Sequence, residues 1–447
     1  MVVVGAARSG IAAAELLLAK GARVTLSEGR ATFEGAERLR QAGVTLELGG
    51  HRQQTLAEAD VIVVSPGVPH EQAVFDGARS RGVEIIGELE LASRWIAGRM
   101  IAVTGTKGKS TTTTLIGRML GAGGRHVLVG GNIGVPLSAH VVDSTPETIH
   151  VVEASSFQLE TTTTFRPWIA VWLNLADDHL DRHADLGAYA DAKARVFARQ
   201  RADDWAVVNA DDPVVMRHAA ATAAGIVTFS PSGRAGLGLL VQDDWIVRRT
   251  TTGVDRMVPV SAVELAGRHM LGNVVAAVAV TSVAGVDADA MRAGLKGFRG
   301  LEHVMEPVGE IAGVRFVNDS KATNVEAALR SIESFPLGVV AIIGGHFKGG
   351  DLRDLRGVIA RAARAVVAIG AATSLVHEAL DGVVPVHDAT SMREAVEVGF
   401  RLASPADTVL LAPACASFDW FVDYAERGRV FKDAVAQLRR EREHPRA

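Results

Sequence analysis

A glycine-rich segment near residue 105 carries the residue types that bind nucleotide phosphates. It follows an apolar run, Met100-Ile101-Ala102-Val103, and precedes a run with helical character from Thr112 to Leu120, so the order is strand, turn, helix. Such a turn aims backbone N–H groups and a helix N-terminus at a phosphate. Lys109 would reach the terminal phosphates, and Ser110 would hold Mg²⁺. ATP binding is therefore predicted for Gly105, Thr106, Lys107, Gly108, Lys109, Ser110 and Thr111.

This loop departs from the usual phosphate-binding pattern at one position. The usual pattern has a glycine five positions before the Gly-Lys pair, and Val103 stands there in this chain. The alternative interpretation is a glycine-rich connection between a strand and a helix, with a solvated lysine. The strand before it and the helix after it favour the phosphate-binding interpretation.

Polar residues also end two other apolar runs of the middle segment. Glu153 follows Ile149–Val152, where a carboxylate can bind Mg²⁺ that ATP phosphates hold. Its alternative role is a helix cap or a surface glutamate. The run that ends at Asn174 is followed by His179 among aspartates, which suggests a metal or phosphate site or, alternatively, a polar loop.

Lys193 lies on an apolar stripe of a predicted helix. At helical spacing it shares a face with Tyr189, Val196 and Phe197. Periodicity alone favours a lysine that extends its ammonium outward to water. An inward lysine would instead be favoured as a neutral amine. Such an amine can take up CO₂ to become a carbamate, which is an oxygen ligand for Mg²⁺.

Strands and turns at both ends of the chain predict further binding loops. The first turn, Gly5 to Gly10, follows Val2-Val3-Val4 but has Ala7 where a dinucleotide fingerprint needs its central glycine. A nicotinamide site is therefore the weaker interpretation. The pyrophosphate of a nucleotide sugar would fit this turn equally well. Three loops near the other end suit nucleotide, anion or carboxylate contacts, or are surface loops. These loops are residues 318–324, 344–350 and 412–419.

Composition and the order of the predicted elements indicate a multidomain α/β enzyme. A length of 447 residues predicts about three domains. The net charge of −4 does not suggest a nucleic-acid partner, and the single cysteine, Cys415, fits a reducing cytoplasm. We expect no signal peptide, no membrane insertion and a monomer. The predicted domains are a Rossmann-like domain (1–87), a P-loop ATPase-type domain with a mostly parallel sheet (88–299) and a second Rossmann-like domain (300–447).

Taken together, these segments resemble the Mur ligase family over nearly the whole chain. The Asp319-to-Asn324 and Ala414-to-Ser417 segments favour the member of the family that adds D-glutamate. The motifs that carry the resemblance are Gly105–Thr111, Gly130–Gly134, Glu153–Glu160, Asp178–Arg182, Asn318–Asn324 and Pro413–Asp419.

The resemblance implies an ATP-dependent amide ligase that adds D-glutamate to UDP-N-acetylmuramoyl-L-alanine through an acyl phosphate. ADP and phosphate would be released, and the product would serve peptidoglycan synthesis. The cofactors implied are ATP, two Mg²⁺ ions and CO₂ bound as a carbamate on Lys193. The central catalytic residues would be Lys109, Glu153, His179, Lys193 and Lys348.

The same resemblance assigns residues to four groups of contacts. Besides the loop, Asn273, Asp319 and Lys321 would contact ATP. Glu28, Arg30, Ser65, Pro66, Gly67, Asn132 and His179 would bind the UDP substrate. Thr323, Lys348, Ser417, Phe418 and Tyr424 would receive D-glutamate. Ser110 and Glu153 would hold one Mg²⁺, and His179 and carbamylated Lys193 would hold the second.

Two departures and three rival functions accompany this resemblance. Relatives usually have an asparagine where this chain has Met270, and an arginine where it has Val304. Both positions would lie toward the adenosine and phosphates. The rival functions are a P-loop kinase, a nucleotide-regulated binding protein without turnover, and a sibling ligase for another amino acid, such as a folate polyglutamate synthase.

Overall fold

The computed structural model describes residues 1–176, 182–234, 236–264 and 268–443. They pack as two compact bodies, Met1–Phe298 and a second that begins at Arg299. The predicted α/β class is correct: three mostly parallel sheets alternate with helices along the chain. No helix in these described ranges is long and apolar enough to cross a membrane.

The first sheet consists of five parallel strands built from short β-branched runs such as Val2–Val4. Parallel strands are covered by helices on both faces, so continuous apolar runs suit them. Its strands are β1 (Val2–Val4), β2 (Thr25–Glu28), β3 (Thr45–Leu48), β4 (Val61–Val64) and β5 (Glu84–Gly87), with helices α1 (Arg8–Ala19), α2 (Ala36–Gln41), α3 (Gln53–Ala57) and α4 (Asp76–Ser80). The spatial order is β3-β2-β1-β4-β5. The order reverses at β1, where open α/β sheets bind ligands.

The second sheet surrounds the strand that precedes the glycine-rich loop. Its strands are β6 (Arg99–Thr104), β7 (Val127–Gly131), β8 (Ile149–Glu153), β9 (Ile169–Trp172), β10 (Trp205–Asn209), β11 (Gly225–Ser230), β12 (Gly238–Gln242), β13 (Trp245–Arg249) and β14 (Val254–Pro259). Its helices are α5 (Glu88–Ser93), α6 (Lys109–Ala122), α7 (Ser156–Glu160), α8 (Leu186–Ala194), α9 (Pro213–Ala219), α10 (Arg268–Val283) and α11 (Ala288–Leu295). Strand β6 lies between β9 and β8, and only β13 pairs antiparallel with its neighbours.

The third sheet forms the second body. Its strands are β15 (Glu306–Ile311), β16 (Val314–Asn318), β17 (Val339–Gly344), β18 (Ala363–Ile369), β19 (Val386–Ala389) and β20 (Thr408–Leu411). Its helices are α12 (Val325–Glu333), α13 (Arg356–Ala362), α14 (Thr373–Leu380), α15 (Met392–Leu402) and α16 (Tyr424–Glu443). The order β15-β16-β20-β17-β18-β19 places the carboxyl ends of β16, β20 and β17 side by side.

The first two sheets share one hydrophobic core. Leu17 of α1, Leu89 of α5 and Trp172 of β9 belong to a single buried cluster that spans both sheets. Burial of apolar surface is the dominant favourable term in folding. The first two predicted domains are therefore held together as one packed body.

Glu90 on α5 attaches this shared core to the segment that leads into β9. The carboxylate is fully buried and accepts the backbone N–H groups of Thr163, Thr164 and Phe165 at 2.9 to 3.0 Å. Arg94 Nε donates to it at 3.0 Å. Burial raises the pKa of Glu90, but the hydrogen bonds from Thr164, Thr163 and Arg94 outweigh it and lower the pKa to about 2. The ionised form is thus the one that the fold stabilises.

We expect Glu90→Gln to lower the free energy of unfolding by about 2 kcal/mol at pH 7. The folded-state pKa of about 2 lies below the usual value of 4.5. This stabilisation is therefore present above about pH 4.5 and lost as the pH falls toward 2. Urea unfolding at pH 7 and pH 3.5 should show a difference between variant and wild type that narrows at the lower pH.

Glu84→Gln is the matched control, because Glu84 also pairs with Arg94 but its side chain is partly exposed. Glu84→Gln should lower the free energy of unfolding at pH 7 by much less, because surface ion pairs generally contribute little to stability. Equal losses for the two variants, or a Glu90→Gln deficit that does not change with pH, would contradict the role given to the buried carboxylate.

Candidate active site

The glycine-rich loop connects β6 to α6, as the sequence predicts. Gly105 and Gly108 have φ angles of +149° and +84°, which side chains rarely adopt. A Cβ atom at Gly108 would lie 2.1 Å from Asn273 Oδ1, and one at Gly105 would lie 3.0 Å from Leu173 Cβ. Val103 is a buried residue inside β6. The unusual position therefore belongs to the strand, and the loop itself keeps the glycines that it needs.

Asn174 holds the middle of this loop. Its Oδ1 accepts the backbone N–H groups of Thr106 and Lys107 at 3.1 and 2.9 Å, and its Nδ2 donates to Lys107 O at 3.0 Å. These two N–H groups are thereby bound within the protein. An anion would therefore be received by the N–H groups at the N-terminus of α6, and by Lys109 if phosphate oxygens replace its carbonyl partners.

Two lysines converge on one carbonyl of the loop. Lys109 Nζ donates to Gly105 O at 3.0 Å and to Thr106 O at 2.8 Å. Lys193 Nζ donates to the same Gly105 O at 2.8 Å and lies 4.3 Å from the centroid of the Tyr189 ring. Lys193 is 1% exposed, so the outward orientation that periodicity favours is wrong. The bond to Gly105 O, 88 residues away, is what makes an inward lysine tolerable.

Glu153 stands at the end of β8, beside this loop. It is 3% exposed and its backbone pairs with Val103 of β6. Oε1 accepts Asn132 Nδ2 at 2.8 Å, while Oε2 is buried with no hydrogen-bond partner among the described residues. An orphaned carboxylate oxygen is costly unless a ligand binds it. This atom, with the Ser110 hydroxyl at the start of α6, fits the oxygen donors that Mg²⁺ prefers.

The predicted residue His179 lies outside the described residues, together with Asp177, Asp178 and Asp181. Within the described ranges, no three His, Cys, Asp or Glu side chains form a metal-binding group. The predicted second metal site therefore rests on Lys193 in this structure and on a residue that the structure does not describe.

His183 is a buried residue that the sequence analysis missed. Its Nε2 lies 3.0 Å from Ser156 Oγ, and its Nδ1 lies 3.2 Å from Glu160 Oε1. Its ring centroid lies 5.0 Å from that of Tyr189. It therefore joins α7 to α8, the helix that carries Lys193. No local signal distinguishes it, because its partners come from another part of the chain.

A cavity of about 370 Å³ lies at the carboxyl ends of β1, β2 and β4. The residues predicted to bind the UDP substrate and described here all line it, namely Glu28, Arg30, Ser65, Pro66, Gly67 and Asn132. Arg8, which the prediction omitted, also lines it and donates to Gly134 O at 3.3 Å. The loops of the first sheet and the Gly130–Gly134 turn of the second thus form one binding surface.

Glu28 organises that cavity as an ionised carboxylate. Its two oxygens accept Ala6 N at 2.7 Å and Arg30 N and Nε at 3.0 Å. Burial raises the pKa of Glu28, but the hydrogen bonds from Arg30 and Ala6 outweigh it and lower the pKa to about 2. The carboxylate is thereby ionised at neutral pH and fixes both the first turn and Arg30.

A second cavity, of about 210 Å³, lies next to the glycine-rich loop. Asn174, Asn209 and Asn273 line it with Leu173, Phe229, Pro231 and Gly272. Asn273 Nδ2 lies 3.5 Å from Met270 Sδ, so the residue in place of the usual asparagine contacts the one that is retained. The three asparagine amides and the apolar side chains give this cavity the mixed lining of a small-molecule site.

In the second body, the two residues predicted to bind ATP differ in environment. Asp319 is buried; its Oδ1 accepts Met305 N at 3.1 Å and its Oδ2 accepts Ser331 Oγ. Burial raises the pKa of Asp319 although these hydrogen bonds oppose it. Lys321 is exposed. Their contact with ATP stays a prediction.

The residues predicted for D-glutamate follow three neighbouring strands of the third sheet. Thr323 follows β16, Lys348 follows β17, and Ser417 and Phe418 follow β20. Lys348 and Phe418 are exposed, Thr323 and Tyr424 are half-buried, and Ser417 is buried. Because carboxyl ends of neighbouring strands share an edge, the loops that carry them adjoin one another. Cys415 is buried, and burial raises its pKa to about 12, so its thiol is poorly suited to act as a nucleophile.

Three family models match the chain in series. They are described as "Mur ligase MurD-like, N-terminal domain" for residues 1–87, "Mur ligase middle domain" for residues 103–281 and "Mur ligase, glutamate ligase domain" for residues 305–415. Curated relatives are similar over nearly their whole length. The UDP-N-acetylmuramoylalanine–D-glutamate ligase of Acidobacterium capsulatum is 46% identical over 440 residues, which is 97% of this chain and 95% of that one. The ligase of the same name from Desulfosudis oleivorans is 42% identical, covering 100% and 98%.

Solved structures of the same group share the fold at low sequence identity. The UDP-N-acetylmuramate-alanine ligase MurC of Thermotoga maritima superposes with a TM-score of 0.56 at 18% identity, covering 98% of this chain and 99% of that one. MurF ligase from Thermotoga maritima, solved with ADP, gives a TM-score of 0.53 at 17% identity, covering 87% and 97%. These two similarities bear on the fold alone.

We expect Asn174→Ala to weaken the binding of ATP by about tenfold, because two loop N–H groups lose their acceptor and the loop is no longer held in one conformation. Titration calorimetry with Mg²⁺ and ADP or a non-hydrolysable ATP analogue measures the change directly.

Gln200→Ala provides the control for this comparison. The Gln200 amide is also buried and donates to backbone carbonyls, Pro167 O at 3.3 Å and Trp205 O at 2.8 Å, but it does not bind the loop. It should change nucleotide affinity by much less. Unchanged affinity in Asn174→Ala, or the same loss in both variants, would show that Asn174 does not position the loop.

Proposed function

Because the chain belongs to the Mur ligase family, we propose that it joins D-glutamate to UDP-N-acetylmuramoyl-L-alanine at the expense of ATP. The relatives that carry this activity in their names are 46% and 42% identical to it over nearly the full length. The third matching model is that of a glutamate ligase domain. The products are an amide, ADP and phosphate, and the amide is a precursor of peptidoglycan.

One geometric observation carries the chemical side of the proposal. Lys109 and Lys193 both donate to the carbonyl of Gly105, and the orphaned Oε2 of Glu153 lies at the end of the adjoining strand. A triphosphate and a carboxylate repel each other, so a site that joins them needs concentrated positive charge. Lys109, a cation on Glu153 and a second cation held by carbamylated Lys193 would provide it.

We propose three functional domains within the two bodies. Residues 1–87 bind the UDP part of the substrate in the cavity of about 370 Å³. Residues 88–299 bind ATP on the glycine-rich loop, and the cavity of about 210 Å³ beside that loop is the place for the base. Residues 300–447 bind D-glutamate.

Two Mg²⁺ sites belong to the proposal. Ser110 and Glu153 would hold the first, for which the unpartnered carboxylate oxygen is the fitting donor. His179 and Lys193, as a carbamate, would hold the second. Bound Mg²⁺ would neutralise phosphate charge and orient the reacting oxygens.

Lys193 suits the carbamate chemistry. A neutral amine adds CO₂ to form an N-carboxylate and releases one proton, and the nitrogen keeps one N–H. That N–H can retain the bond to Gly105 O, so the change needs no new position for the side chain. Burial favours the neutral amine of a lysine, which is the form that adds CO₂, and a nearby Mg²⁺ would stabilise the resulting anion.

The proposed reaction has two chemical steps. The alanyl carboxylate attacks the γ-phosphorus of ATP and ADP leaves, while Lys109 offsets the charge that develops on the phosphate oxygens. The amine of D-glutamate then attacks the acyl carbon, loses a proton, and phosphate leaves. Thr323, Ser417, Phe418 and Tyr424 would position the amino acid, and exposed Lys348 would attract one of its carboxylates. The single buried cysteine, Cys415, fits our proposal of a cytoplasmic enzyme.

We expect free phosphate and one amide per ATP when UDP-N-acetylmuramoyl-L-alanine, D-glutamate and ATP are supplied together. Phosphate release with a panel of amino acids, including L-glutamate and D-glutamine, and mass spectrometry of the nucleotide product test this expectation. Omission of each substrate in turn is the control. A stable phosphorylated product would instead indicate a kinase, ATP binding without turnover a regulatory binding protein, and preference for another amino acid a sibling ligase.

We expect Lys193→Ala to lower kcat by about 100-fold or more, because the variant lacks the proposed carbamate and therefore a ligand of the second Mg²⁺. Added short carboxylates such as acetate should restore part of the activity by replacing the carbamate. With ¹³C-labelled bicarbonate, the wild type should show a carbamate carbon signal by NMR that the variant lacks.

Lys296→Ala, which removes an exposed lysine of the same body, should behave as the wild type. Normal turnover by Lys193→Ala would refute the proposed role of Lys193. Loss of activity without a labelled carbamate in the wild type would keep the lysine essential but remove the carbamate from the mechanism.

A further inference from the structure

Arg427 of α16 is a buried guanidinium held by neutral oxygens. It is 1% exposed. Its Nε donates to Ser320 Oγ at 2.9 Å, its Nη2 to Ser320 O at 2.9 Å and its Nη1 to Cys415 O at 3.0 Å. Among the residues that the structure describes, no carboxylate forms an ion pair with it, and Asp419 acts on it only through space. Within the described part of the chain, its positive charge therefore has no carboxylate bonded to it, and Asp419 offsets it from a distance.

That charge persists at neutral pH although burial opposes it. Burial lowers the pKa of Arg427 to about 10, so the guanidinium is protonated at pH 7. Burying a charge without a partner of opposite sign is costly. A buried charge of this kind is expected where it either holds segments of the structure together or stabilises an anionic ligand.

The bonds of Arg427 connect the loops that the proposed function assigns to D-glutamate. Ser320 belongs to the loop that carries Thr323, and Cys415 lies two residues before Ser417. Ser320 Oγ also donates to Tyr424 O at 2.7 Å. One side chain thereby fixes the relative positions of the loops after β16 and β20 and the first turn of α16.

The loop after β17, which carries Lys348, is attached to the same point. His346 and Ala416 exchange two backbone hydrogen bonds, at 2.8 and 2.9 Å. Gly345 lies so close that a Cβ atom there would be 3.1 Å from Arg427 Nη1. The loops after β16, β17 and β20 therefore all pack at or next to the guanidinium.

We propose that Arg427 is the positioning residue of the amino-acid site and that its charge makes the site select an acidic acceptor over a neutral one. This inference rests on the proposed function. D-glutamate with a free amine carries two carboxylates, whereas D-glutamine carries one. In a low-dielectric interior, a guanidinium without a bonded carboxylate acts over several ångströms. Arg427 would therefore favour the dianionic amino acid without contacting it.

The test compares Arg427→Met, which removes the charge, with Arg427→Lys, which keeps the charge but not the three-way hydrogen bonding. We expect Arg427→Met to raise KM for D-glutamate by about tenfold or more and to lower the preference for D-glutamate over D-glutamine by about tenfold. KM for ATP should change by less than about threefold. Arg427→Lys should raise KM for D-glutamate but retain the preference.

Two further variants keep the test decisive. Arg440→Met removes an exposed arginine of the same helix and should match the wild type. Ser320→Ala removes an acceptor of Arg427 but leaves its charge, so it should raise KM for D-glutamate without loss of preference. If Arg427→Met does not fold, Arg427→Lys and Ser320→Ala decide the matter, because both must raise KM for D-glutamate more than KM for ATP.

The outcomes separate this inference from the function on which it rests. If the wild type shows no phosphate release that depends on D-glutamate, the proposed function fails and the inference fails with it. If the wild type is active but the Arg427 variants keep KM for D-glutamate within about twofold, or raise both KM values equally, only the inference is overturned.

Discussion

The candidate site of the first body depends on the hydrogen bonds that the carbonyl oxygen of Gly105 accepts. This oxygen accepts the amines of Lys109 and Lys193, one from the helix after the loop and one from α8. A buried lysine needs an acceptor, because an unsatisfied ammonium in an apolar interior is very costly. The backbone conformation that turns this carbonyl toward both amines requires φ of +149° at Gly105. The glycine and the two lysines are thus one interacting unit, although Lys193 lies 88 residues from Gly105 in the sequence.

The same way of holding a charge recurs in the rest of the molecule. Glu28 and Glu90 receive backbone N–H groups, and Arg427 donates to backbone and hydroxyl oxygens. Glu90 and Arg427 are stabilised mainly by polar groups of distant segments, and Glu28 combines such a contact, from Ala6 N, with the opposite charge of Arg30. Hydrogen bonds that involve an ion are stronger than neutral ones. Buried ions therefore fix loops that apolar packing alone would leave free to move, and the candidate site is built from those loops.

Local sequence patterns predicted the strands well and the contacts of the site only in part. Continuous apolar runs identify Val2–Val4 and Thr408–Leu411 as strands, because burial on both faces leaves a signal in each residue. The strand predicted to end at Asn174 ends at Trp172 instead. That difference of two residues moves Asn174 into the connection, where it binds the loop 67 residues earlier. Neither this contact nor the inward Lys193 leaves a periodic signal, since both depend on partners far along the chain.

In the proposed ligation the two bodies have different tasks. The first would bind ATP and the UDP substrate, and the second would select the amino acid. The backbone groups and lysines proposed to bind phosphate would accept any triphosphate, so under the proposed function the choice of amino acid falls to the second body. The matching glutamate ligase model ends at residue 415, yet the side chain that joins its loops comes from α16, twelve residues later. A loop binds selectively only when something rigid determines its shape. Under the proposed function, the helix beyond the matched segment therefore belongs to the amino-acid site, because its Arg427 joins the loops that would form that site.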